Sequence, residues 1–315
     1  MTEMKKRVVV FMGGISSERE VSLMSGKGVC EALTARGFEV TAFDPATDSV
    51  EMLEAGKFDA AFIALHGKLG EDGSVQGLLN CLGIPYTGPG VEASAAAMDK
   101  NLTKLIWQAA GLPVPAGRRV TKADARDAAL LEALIADFGA DGLVVKPDRD
   151  GSSIGVTKLM RGDLTAEALR AAVERAAGEG DEPVLVEEYV HGREFTIALL
   201  DGKALPVIEI RAPEGAYDYQ NKYFTDVTKY DCPADLPAEK AAEIARLSER
   251  AFAALGCRGW ARVDALSRPD GSFVLLEINT SPGMTPHSLV PMAARAVGLD
   301  YPALCERVLE LADLD

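Results

Sequence analysis

Four polar side chains interrupt two apolar runs near the C-terminus, and their types suit binding of a divalent cation. The runs lie within residues 259–289 and flank a Pro-Asp-Gly turn, which predicts a β-hairpin. Charged groups on buried strands are costly unless they meet a counter-charge or a metal ion. The polar residues are Arg262, Asp264, Glu277 and Asn279. Two carboxylates and one amide oxygen among them predict a Mg²⁺ site, because Mg²⁺ prefers oxygen ligands.

The spacing of these residues predicts how they face one another. Glu277 and Asn279 are two positions apart and therefore share a face of their strand. A two-residue loop formed by Asp270 and Gly271 would place Asp264 directly opposite Glu277. A slip of one residue would break this alignment. The alternative is a solvated polar face on a half-exposed hairpin, which the apolar neighbours of these residues disfavour.

A glycine-rich segment, residues 147–155, lies between two predicted strands with Lys146 at its entry. It includes the adjacent hydroxyls of Ser152 and Ser153. Such a loop can lie across phosphate groups as a flap, with N–H groups and hydroxyls as donors. The alternative, an ordinary hairpin connection, needs fewer polar residues than this segment holds.

The N-terminal third has a βαβ pattern, which predicts a parallel sheet with helices on its faces. Ser17 and Glu20 have capping-box spacing and predict the start of the first helix. Ligands bind beyond the carboxyl ends of parallel strands, so Glu18 and His66, which follow two such strands, are expected on one rim. The sequence has no dinucleotide-binding glycine fingerprint, which disfavours a nicotinamide-dependent enzyme. It also has no P-loop motif, which disfavours a P-loop nucleotide-binding protein.

Composition and charge limit the class of protein. The 315 residues are 48% hydrophobic and 26% charged, which is ordinary for a globular chain of two or three lobes. The net charge of −15 argues against nucleic acid or an anionic membrane as a partner. The five cysteines are scattered, so we expect reduced thiols in a cytoplasmic protein. No apolar run reaches membrane-spanning length.

Turn-rich stretches divide the chain into three predicted parts. They are a Rossmann-like N-terminal domain at 1–97, a central lobe at 98–184 and a C-terminal lobe at 185–315. Within the last, residues 212–231 lack a helix or strand pattern but contain five aromatic residues. Disordered segments are poor in aromatics, so this segment is predicted to be a lid.

Ordered blocks along nearly the whole chain resemble the D-alanine–D-alanine ligases, which are ATP-grasp enzymes of peptidoglycan precursor synthesis. One block alone would be a weak signal, whereas so many at workable spacing are highly specific. The resemblance implies an α/β (α+β) fold with three-lobed ATP-grasp architecture. The blocks are Gly13-Gly14-x-Ser16-x-Glu18-Arg19-Glu20-Val21-Ser22, His66-Gly67, Gly70-Glu71-Asp72-Gly73, Met98-Asp99-Lys100, Lys146-Pro147, Gly151-Ser152-Ser153-x-Gly155, Asn221-Lys222-Tyr223 and Leu276-Glu277-x-Asn279-Thr280-x-Pro282-Gly283-Met284-Thr285.

The resemblance also implies the reaction and its ligands. These are ATP, two D-alanine molecules and two Mg²⁺ ions, with Mn²⁺ as a possible substitute. ATP would phosphorylate the carboxylate of the first D-alanine to an acyl phosphate. The amine of the second D-alanine would attack that carbonyl, and phosphate would leave from a tetrahedral intermediate. The lid would keep water from hydrolysing the acyl phosphate. The family further implies a homodimer.

On the nucleotide side, the resemblance assigns metal binding to Asp264, Glu277 and Asn279 and phosphate binding to lysines and the flap. Glu187 and Glu194 resemble the adenine and ribose contacts. Backbone groups of the strand–turn–strand between the lobes, at Glu188 and Val190, could also pair with adenine. The implied ATP contacts are Lys100, Lys146, Ser152, Ser153, Glu187, Glu188, Val190, Glu194 and Lys222.

On the substrate side, Glu18 looks like the carboxylate that binds the ammonium of the first D-alanine, held by Ser152 and Tyr223. His66 lies near the same substrate. Tyr223 also resembles the tyrosine of members that form the dipeptide, which relatives that use D-lactate lack.

The groups that handle the second D-alanine follow from the same resemblance. Arg262 and the N–H of Gly283 would stabilise the oxyanion of the tetrahedral intermediate. Ser288, with Leu289 beside it, looks like the donor for the carboxylate of the second D-alanine. A helix N-terminus after a glycine-containing loop suits an anion on physical grounds as well.

Two alternatives remain open at this point. One is a D-alanine–D-lactate ligase or another carboxylate–amine ligase, against which Tyr223 argues. The other is an ATP-binding regulatory protein with this fold and no turnover. Intact substrate-side groups such as Glu18 and Arg262 argue against it, because a sensor does not need them.

Overall fold

The computed structural model describes residues 6–149, 151, 155–212 and 228–315. Its strands are β1 Arg7–Phe11, β2 Glu39–Phe43, β3 Ala60–Ile63, β4 Gly117–Val120, β5 Gly142–Pro147, β6 Thr157–Met160, β7 Val184–Glu188, β8 Glu194–Leu200, β9 Lys203–Ala204, β10 Ile208–Arg211, β11 Lys229–Asp231, β12 Trp260–Ser267 and β13 Phe273–Asn279. Its α-helices are α1 Arg19–Ala35, α2 Ser74–Leu82, α3 Val91–Met98, α4 Lys100–Ala109, α5 Ala128–Phe138, α6 Ala166–Ala177, α7 Ala238–Ala254, α8 Leu289–Ala296 and α9 Tyr301–Glu310. Short 3-10 helices cover Val50–Leu53, Asp124–Arg126 and Arg161–Asp163.

The N-terminal part contains the parallel sheet that the βαβ pattern predicted, with strand order β2-β1-β3. The central strand is fully buried at Val8, Val9 and Val10, as expected when both faces of a parallel sheet are covered. Helix α1 packs on one face together with α9 from the far end of the chain, because both contribute to the same apolar core. The C-terminal helix thus helps to hold the N-terminal sheet in place.

The first helix begins differently from the predicted capping box. Helix α1 starts at Arg19 with Glu18 at the N-cap, and no side chain caps it. Ser16, not Ser17, accepts the Glu18 N–H at 3.2 Å and donates to the His66 carbonyl oxygen at 2.7 Å. The hydroxyl is therefore used to link two loops beyond the parallel sheet.

The middle of the chain forms an antiparallel sheet of order β4-β7-β5-β6. Leu143 and Val145 of β5 pack into an apolar core with helices α5 and α6. Side chains alternate along a strand, so Lys146 lies on the opposite face. Glu187 of β7 shares that face, because Val186 faces the helices. This alternation turns two charged residues away from the helical layer.

The C-terminal sheet has the order β11-β10-β8-β12-β13, with β9 paired to β8. Helix α7 covers one face through a core that includes Phe195, Ile197 and Phe252. Helix α4 packs against the same layer, since Trp107 Nε1 donates to the Ala251 carbonyl oxygen at 3.0 Å. Within the described residues, no helix is long and apolar enough to cross a membrane.

The predicted hairpin is formed by β12 and β13, but its turn differs from the predicted two-residue loop. Arg268 N–H donates to the Ser272 carbonyl oxygen, which leaves three residues in the loop. The strands near the turn pair Ala265 with Leu275, and the register then shifts by one residue. This β-bulge restores the predicted pairing of Asp264 with Glu277.

Candidate active site

An ion pair lies on the polar face of the hairpin. Arg262 donates from Nε and Nη2 to the two carboxylate oxygens of Asp264, at 2.9 and 2.8 Å. Thr196 of β8 donates to Asp264 Oδ1 at 2.6 Å, and Asn279 Nδ2 donates to Oδ2 at 3.1 Å. Asp264 is 7% exposed. The network therefore fixes the orientations of the guanidinium and the amide group.

Glu277 connects the hairpin to helix α4. Lys100 Nζ, at the start of that helix, lies 3.4 Å from Glu277 Oε2. A cavity opens beside this pair where the N-terminal part, the glycine-rich loop and the hairpin meet. Its lining residues are Gly67, Glu71, Ala97, Met98, Lys100, Gly151, Glu277, Ile278, Asn279 and Thr280.

The hairpin residues that could hold a metal ion are Asp264, Glu277 and Asn279. They supply two carboxylates and one amide group from facing strands. In the part of the chain that the structure describes, no group of three or more His, Cys, Asp or Glu side chains forms a metal cluster. Mg²⁺ commonly uses one or two carboxylates and completes its shell with substrate phosphates and water. The donor set therefore fits a Mg²⁺ ion that is bound together with an oxygen-rich ligand.

A buried charge cluster lies on the central sheet next to helix α4. Lys146 Nζ is 2.7 Å from Glu187 Oε2, and Lys104 Nζ forms an ion pair with Glu187 Oε1. Burial raises the pKa of Glu187, but the two lysines outweigh it and hold that pKa below its usual value. Burial lowers the pKa of Lys104 to about 8, because Glu187 offsets only part of the desolvation.

Sequence reasoning missed Lys104. The signal that could have identified it is its position four residues after Lys100, which places both lysines on one face of the helix. Lys146 differs from Lys104 in one respect: burial lowers its pKa, but Glu187 outweighs that effect and the net pKa is raised.

Asp148 places a negative charge at the start of the glycine-rich loop, and an arginine neighbour balances that charge. Its side chain is buried and ion-paired with Arg119, which also contacts Asp99. Asp148 Oδ1 accepts the N–H of Asn101 at 2.9 Å, and Asp99 caps helix α4. These contacts fix the first turn of the helix and with it the position of Lys100.

The rim of the parallel sheet brings Glu18 close to two glycines. A Cβ atom on Gly67 would lie 3.2 Å from Glu18 Oε2, and one on Gly151 would lie 3.3 Å from the same atom. The glycine-rich loop therefore comes to the same rim as the loop after β3. Glu18 and His66 lie on that rim together, as their positions after two strands predicted.

His66 is buried and bonded through both ring nitrogens. Nδ1 lies 2.8 Å from the Ser281 carbonyl oxygen, and Nε2 lies 3.2 Å from Ser25 Oγ. A carbonyl oxygen can only accept, so Nδ1 carries the hydrogen in this arrangement. Burial lowers the pKa of His66, which favours the neutral ring. His66 thus links the N-terminal rim to the loop that follows β13.

The loop that carries Gly283 is fastened to the N-terminal part by several further bonds. Ser281 Oγ donates to the Ile63 carbonyl oxygen at 3.2 Å, and the Met284 N–H donates to Ser25 Oγ at 3.2 Å. Tyr301 donates its hydroxyl hydrogen to the Met284 carbonyl oxygen at 2.6 Å. The backbone on both sides of Gly283 is therefore held in place.

Glu71 joins the same two loops, and sequence reasoning assigned it no role. Its Oε2 accepts the Gly67 N–H at 2.7 Å, and its Oε1 accepts the Ser281 N–H at 3.2 Å. Burial and the nearby Glu18 carboxylate raise the pKa of Glu71 to about 7, although the two N–H donors oppose the shift. The sequence signals that could have pointed to it are its place in the glycine-spaced stretch after β3 and in the block Gly70-Glu71-Asp72-Gly73 that carries the family resemblance.

Ser288 is the N-cap of helix α8, which begins at Leu289. Ser288 Oγ accepts the Thr285 N–H at 3.0 Å. A Cβ atom on Gly283 would lie 3.1 Å from Ser288 Oγ, so the two predicted substrate-side groups are neighbours. The helix start and the fastened loop thus form one continuous surface.

The predicted adenine contacts lie at the end of β7 and beyond it. The Glu188 N–H donates to the Ala116 carbonyl oxygen at 2.8 Å, and its carboxylate pairs with Arg268. Val190 is buried, and Glu194 is the first residue of β8. The roles of these residues toward a nucleotide stay predictions. Ser152, Ser153, Lys222 and Tyr223 lie outside the described residues, as does most of the predicted lid.

Comparison with known proteins places this geometry in a family. The model described as "D-ala D-ala ligase C-terminus" matches residues 106–310, and the one described as "D-ala D-ala ligase N-terminus" matches residues 43–89. The D-alanine–D-alanine ligase of Acidovorax ebreus is 52% identical over 98% of this chain and 91% of its own length.

Solved structures agree with the sequence relatives. The D-alanine–D-alanine ligase of Bacillus anthracis complexed with ATP superposes with a TM-score of 0.82 at 34% identity, over 97% of each chain. The VanG D-Ala:D-Ser ligase of Enterococcus faecalis gives 0.83 at 30% identity, over 98% of this chain and 99% of that one. These likenesses confirm both the mixed α/β fold and the predicted resemblance. The chain belongs to the D-alanine–D-alanine ligase family.

Proposed function

We propose that this protein joins two D-alanine molecules to D-alanyl-D-alanine with conversion of ATP to ADP and phosphate, as a step in peptidoglycan precursor synthesis. The observation that carries the proposal is the cavity at the junction of the three parts. It brings Lys100, Glu277 and Asn279 next to the Gly67 and Gly151 backbone beside Glu18. Phosphate-binding, metal-binding and amino-acid-binding groups are thereby within reach of one reacting centre.

The nucleotide phosphates would bind between helix α4 and the central sheet. Lys100 and Lys146 supply positive charge there, and Glu277 lies beside Lys100. Asp264, Glu277 and Asn279 would hold Mg²⁺, with Mn²⁺ as an alternative. The metal would neutralise charge on the transferring phosphoryl group. Ser152, Ser153 and Lys222 would cover the phosphates, and Glu187, Glu188, Val190 and Glu194 would surround the base and ribose.

The first D-alanine would bind at the N-terminal rim. Glu18 offers a carboxylate for its ammonium group, and the adjacent glycines leave space for a small amino acid. Tyr223 and Ser152 would complete this pocket. Since both ring nitrogens of His66 are engaged by Ser25 and Ser281, His66 would act by holding the Gly283 loop.

The tetrahedral intermediate would be stabilised between the hairpin and the Gly283 loop. Asp264 holds the Arg262 guanidinium through two bonds, so this cation is oriented before the substrates arrive. The fastened backbone around Gly283 offers an N–H donor on the other side. Ser288 and Leu289 at the start of α8 would bind the carboxylate of the second D-alanine.

The remaining predictions extend this proposal. The three predicted parts, 1–97, 98–184 and 185–315, would each deliver one component to the shared cavity. Residues 212–231 would act as the lid that excludes water from the acyl phosphate. We further propose a cytoplasmic location, because the substrates of this reaction are small soluble molecules, and a homodimer, which the family resemblance implies.

The test is ADP release by the full chain with D-alanine, L-alanine, D-serine or D-lactate as second substrate. We expect ADP release that requires D-alanine, with D-alanyl-D-alanine as the product. Glu277→Gln should lower turnover by at least about 100-fold, the scale of losing one preorganised charge in such a site. Asp270→Asn in the turn of the same hairpin is the matched control and should retain activity. Near-normal turnover in Glu277→Gln would contradict the metal assignment.

A further inference from the structure

Lys104 is a buried cation that the proposed reaction does not use directly. Its side chain is 6% exposed and lies one helical turn after Lys100 on α4. Thr103 and Trp107 on either side are buried as well. Burying an unpaired ammonium group costs folding free energy. The role of Lys104 must therefore be sought in the group that it pairs with.

The partner is Glu187, which Lys104 shares with Lys146. One oxygen of the carboxylate faces Lys104 and the other lies 2.7 Å from Lys146 Nζ. The strand pairing sets this arrangement, because Glu187 lies opposite Val144, two residues before Lys146 on the same face. Gly117 on β4 makes room for it, since a Cβ atom there would lie 2.8 Å from Glu187 Cγ.

The charge balance of this cluster depends on Lys104. Lys104, Lys146 and Glu187 together carry a net charge of +1, and the nearby pair of Lys100 with Glu277 adds no net charge. Asp148 also acts on Lys146 but is itself ion-paired with Arg119. Without Lys104, the Glu187 carboxylate would balance the charge of Lys146. An anion approaching Lys146 would then meet a neutral pair in place of a cation.

We propose that Lys104 is a positioning residue for nucleotide binding, which occupies Glu187 so that Lys146 keeps positive charge for the phosphates of ATP. The inference rests on the proposed function in placing ATP at Lys146. Lys104 itself is enclosed by its own helix and the central sheet, so it acts through Glu187. Lys100 on the same helix contacts Glu277 instead, so the two lysines of α4 serve different carboxylates.

The first experiment compares Lys104→Met, Lys104→Arg and the control Lys122→Met. Lys122 belongs to the same part of the chain but contacts the Gly178 carbonyl oxygen. ATP affinity is measured by calorimetry, and the KM values for ATP and D-alanine are measured separately. We expect Lys104→Met to weaken ATP binding about tenfold, the scale of one charged interaction. The KM for D-alanine should change much less, and Lys104→Arg should retain most of the affinity.

The second experiment adds Glu187→Gln to Lys104→Met and measures binding of inorganic tripolyphosphate, which lacks the base and ribose that Glu187 is proposed to contact. If Lys104 acts through Glu187, removing the carboxylate frees Lys146, and the double variant binds tripolyphosphate more tightly than Lys104→Met alone. If the second change weakens tripolyphosphate binding further, the proposal is overturned. Equal losses for ATP and D-alanine would overturn it too, because they indicate general damage to the fold. Thermal unfolding of each variant accompanies both experiments.

Failure of the proposed reaction would give a different result. ATP binding by the unaltered chain without D-alanine-dependent ADP release would overturn the ligase assignment. The order of ATP affinities among the Lys104 variants would still decide the role of Lys104. The two conclusions therefore depend on separate measurements.

Discussion

A glutamate in the central sheet and another at the junction between the N-terminal rim and the Gly283 loop are both shielded from much of the solvent, but their pKa values shift in opposite directions. Glu187 in the sheet lies between Lys104 and Lys146, and its pKa is held below the usual value. Within the described residues, the hydrogen bonds to the Glu71 oxygens at the junction come from two backbone N–H groups, and burial raises its pKa to about 7. The partners, more than burial itself, decide which carboxylate stays ionised.

This difference separates two tasks. A carboxylate fixed between lysines keeps its charge across the physiological range and can tune the field around a bound nucleotide. The Glu71 carboxyl group joins two loops by accepting the N–H groups of Gly67 and Ser281. The strength of these hydrogen bonds depends on whether the carboxyl group is protonated. The comparison predicts opposite pH dependence for the two regions.

The largest effect is expected for Glu187→Gln. It leaves Lys104 and Lys146 without a counter-charge, and removing one partner of a buried ion pair costs about 4 kcal/mol of folding free energy. Urea unfolding at neutral pH measures this loss. The matched control is Glu188→Gln, which breaks the partly exposed pair with Arg268 and should cost under about 1 kcal/mol. Equal losses of folding free energy in the two variants would mean that the buried lysines around Glu187 do not make its charge more important for stability than that of Glu188.

Glu71→Gln should change the pH dependence of stability. A raised pKa means that the folded state holds the proton more tightly than the unfolded state. The stabilising contribution is therefore complete below pH 4.5, the usual value, and is lost as the pH rises to about 7. The loss is about 3 kcal/mol at most by linkage. Glu18 and Arg262 face Glu71 and oppose each other in this effect.

The measurement is urea unfolding of the unaltered chain and of Glu71→Gln across this pH range. As the pH rises from 4.5 to about 7, the unaltered chain should lose unfolding free energy relative to Glu71→Gln. Glu187 should show the reverse sign, with stability lost as the pH falls below 4.5. A Glu71→Gln profile parallel to that of the unaltered chain would show that Glu71 does not titrate in this window.

The hairpin shows how far the sequence alone could lead. Spacing within a short segment predicted that Asp264 faces Glu277, and the structure has this pair. The predicted reason was wrong, because the turn holds three residues and a bulge at Leu276 compensates. Turn type and bulges depend on packing against β8 and the rest of the sheet, which local spacing does not specify.

Lys104 and Glu71 show what the sequence could not supply. Each meets one partner across a long separation in the chain, Lys104 with Glu187 and Glu71 with Ser281. A lysine in a helix and a glutamate in a loop are common on protein surfaces, so residue type gave no signal. The family resemblance assigned candidate reacting groups, whereas the residues that contact them could be identified only from the tertiary structure.

The smallest expected effect concerns the space that Glu187 occupies. A Cβ atom on Gly117 would lie 2.6 Å from the Val186 carbonyl oxygen and 2.8 Å from Glu187 Cγ. Because one of these atoms belongs to the backbone, Gly117→Ala should push β7 and Glu187 aside, at a cost of about 1–2 kcal/mol. Gly162→Ala is the matched control, since a Cβ atom there meets nothing within 4 Å.

Displacement of Glu187 should also disturb Lys146, so Gly117→Ala should raise the KM for ATP about threefold while Gly162→Ala leaves it unchanged. Urea unfolding and steady-state kinetics on the two variants check both effects. A stable Gly117→Ala variant with unchanged KM would mean that β4 can move away without shifting Glu187. The geometry of the cluster would then be set by α4, β5 and β7 without a contribution from β4.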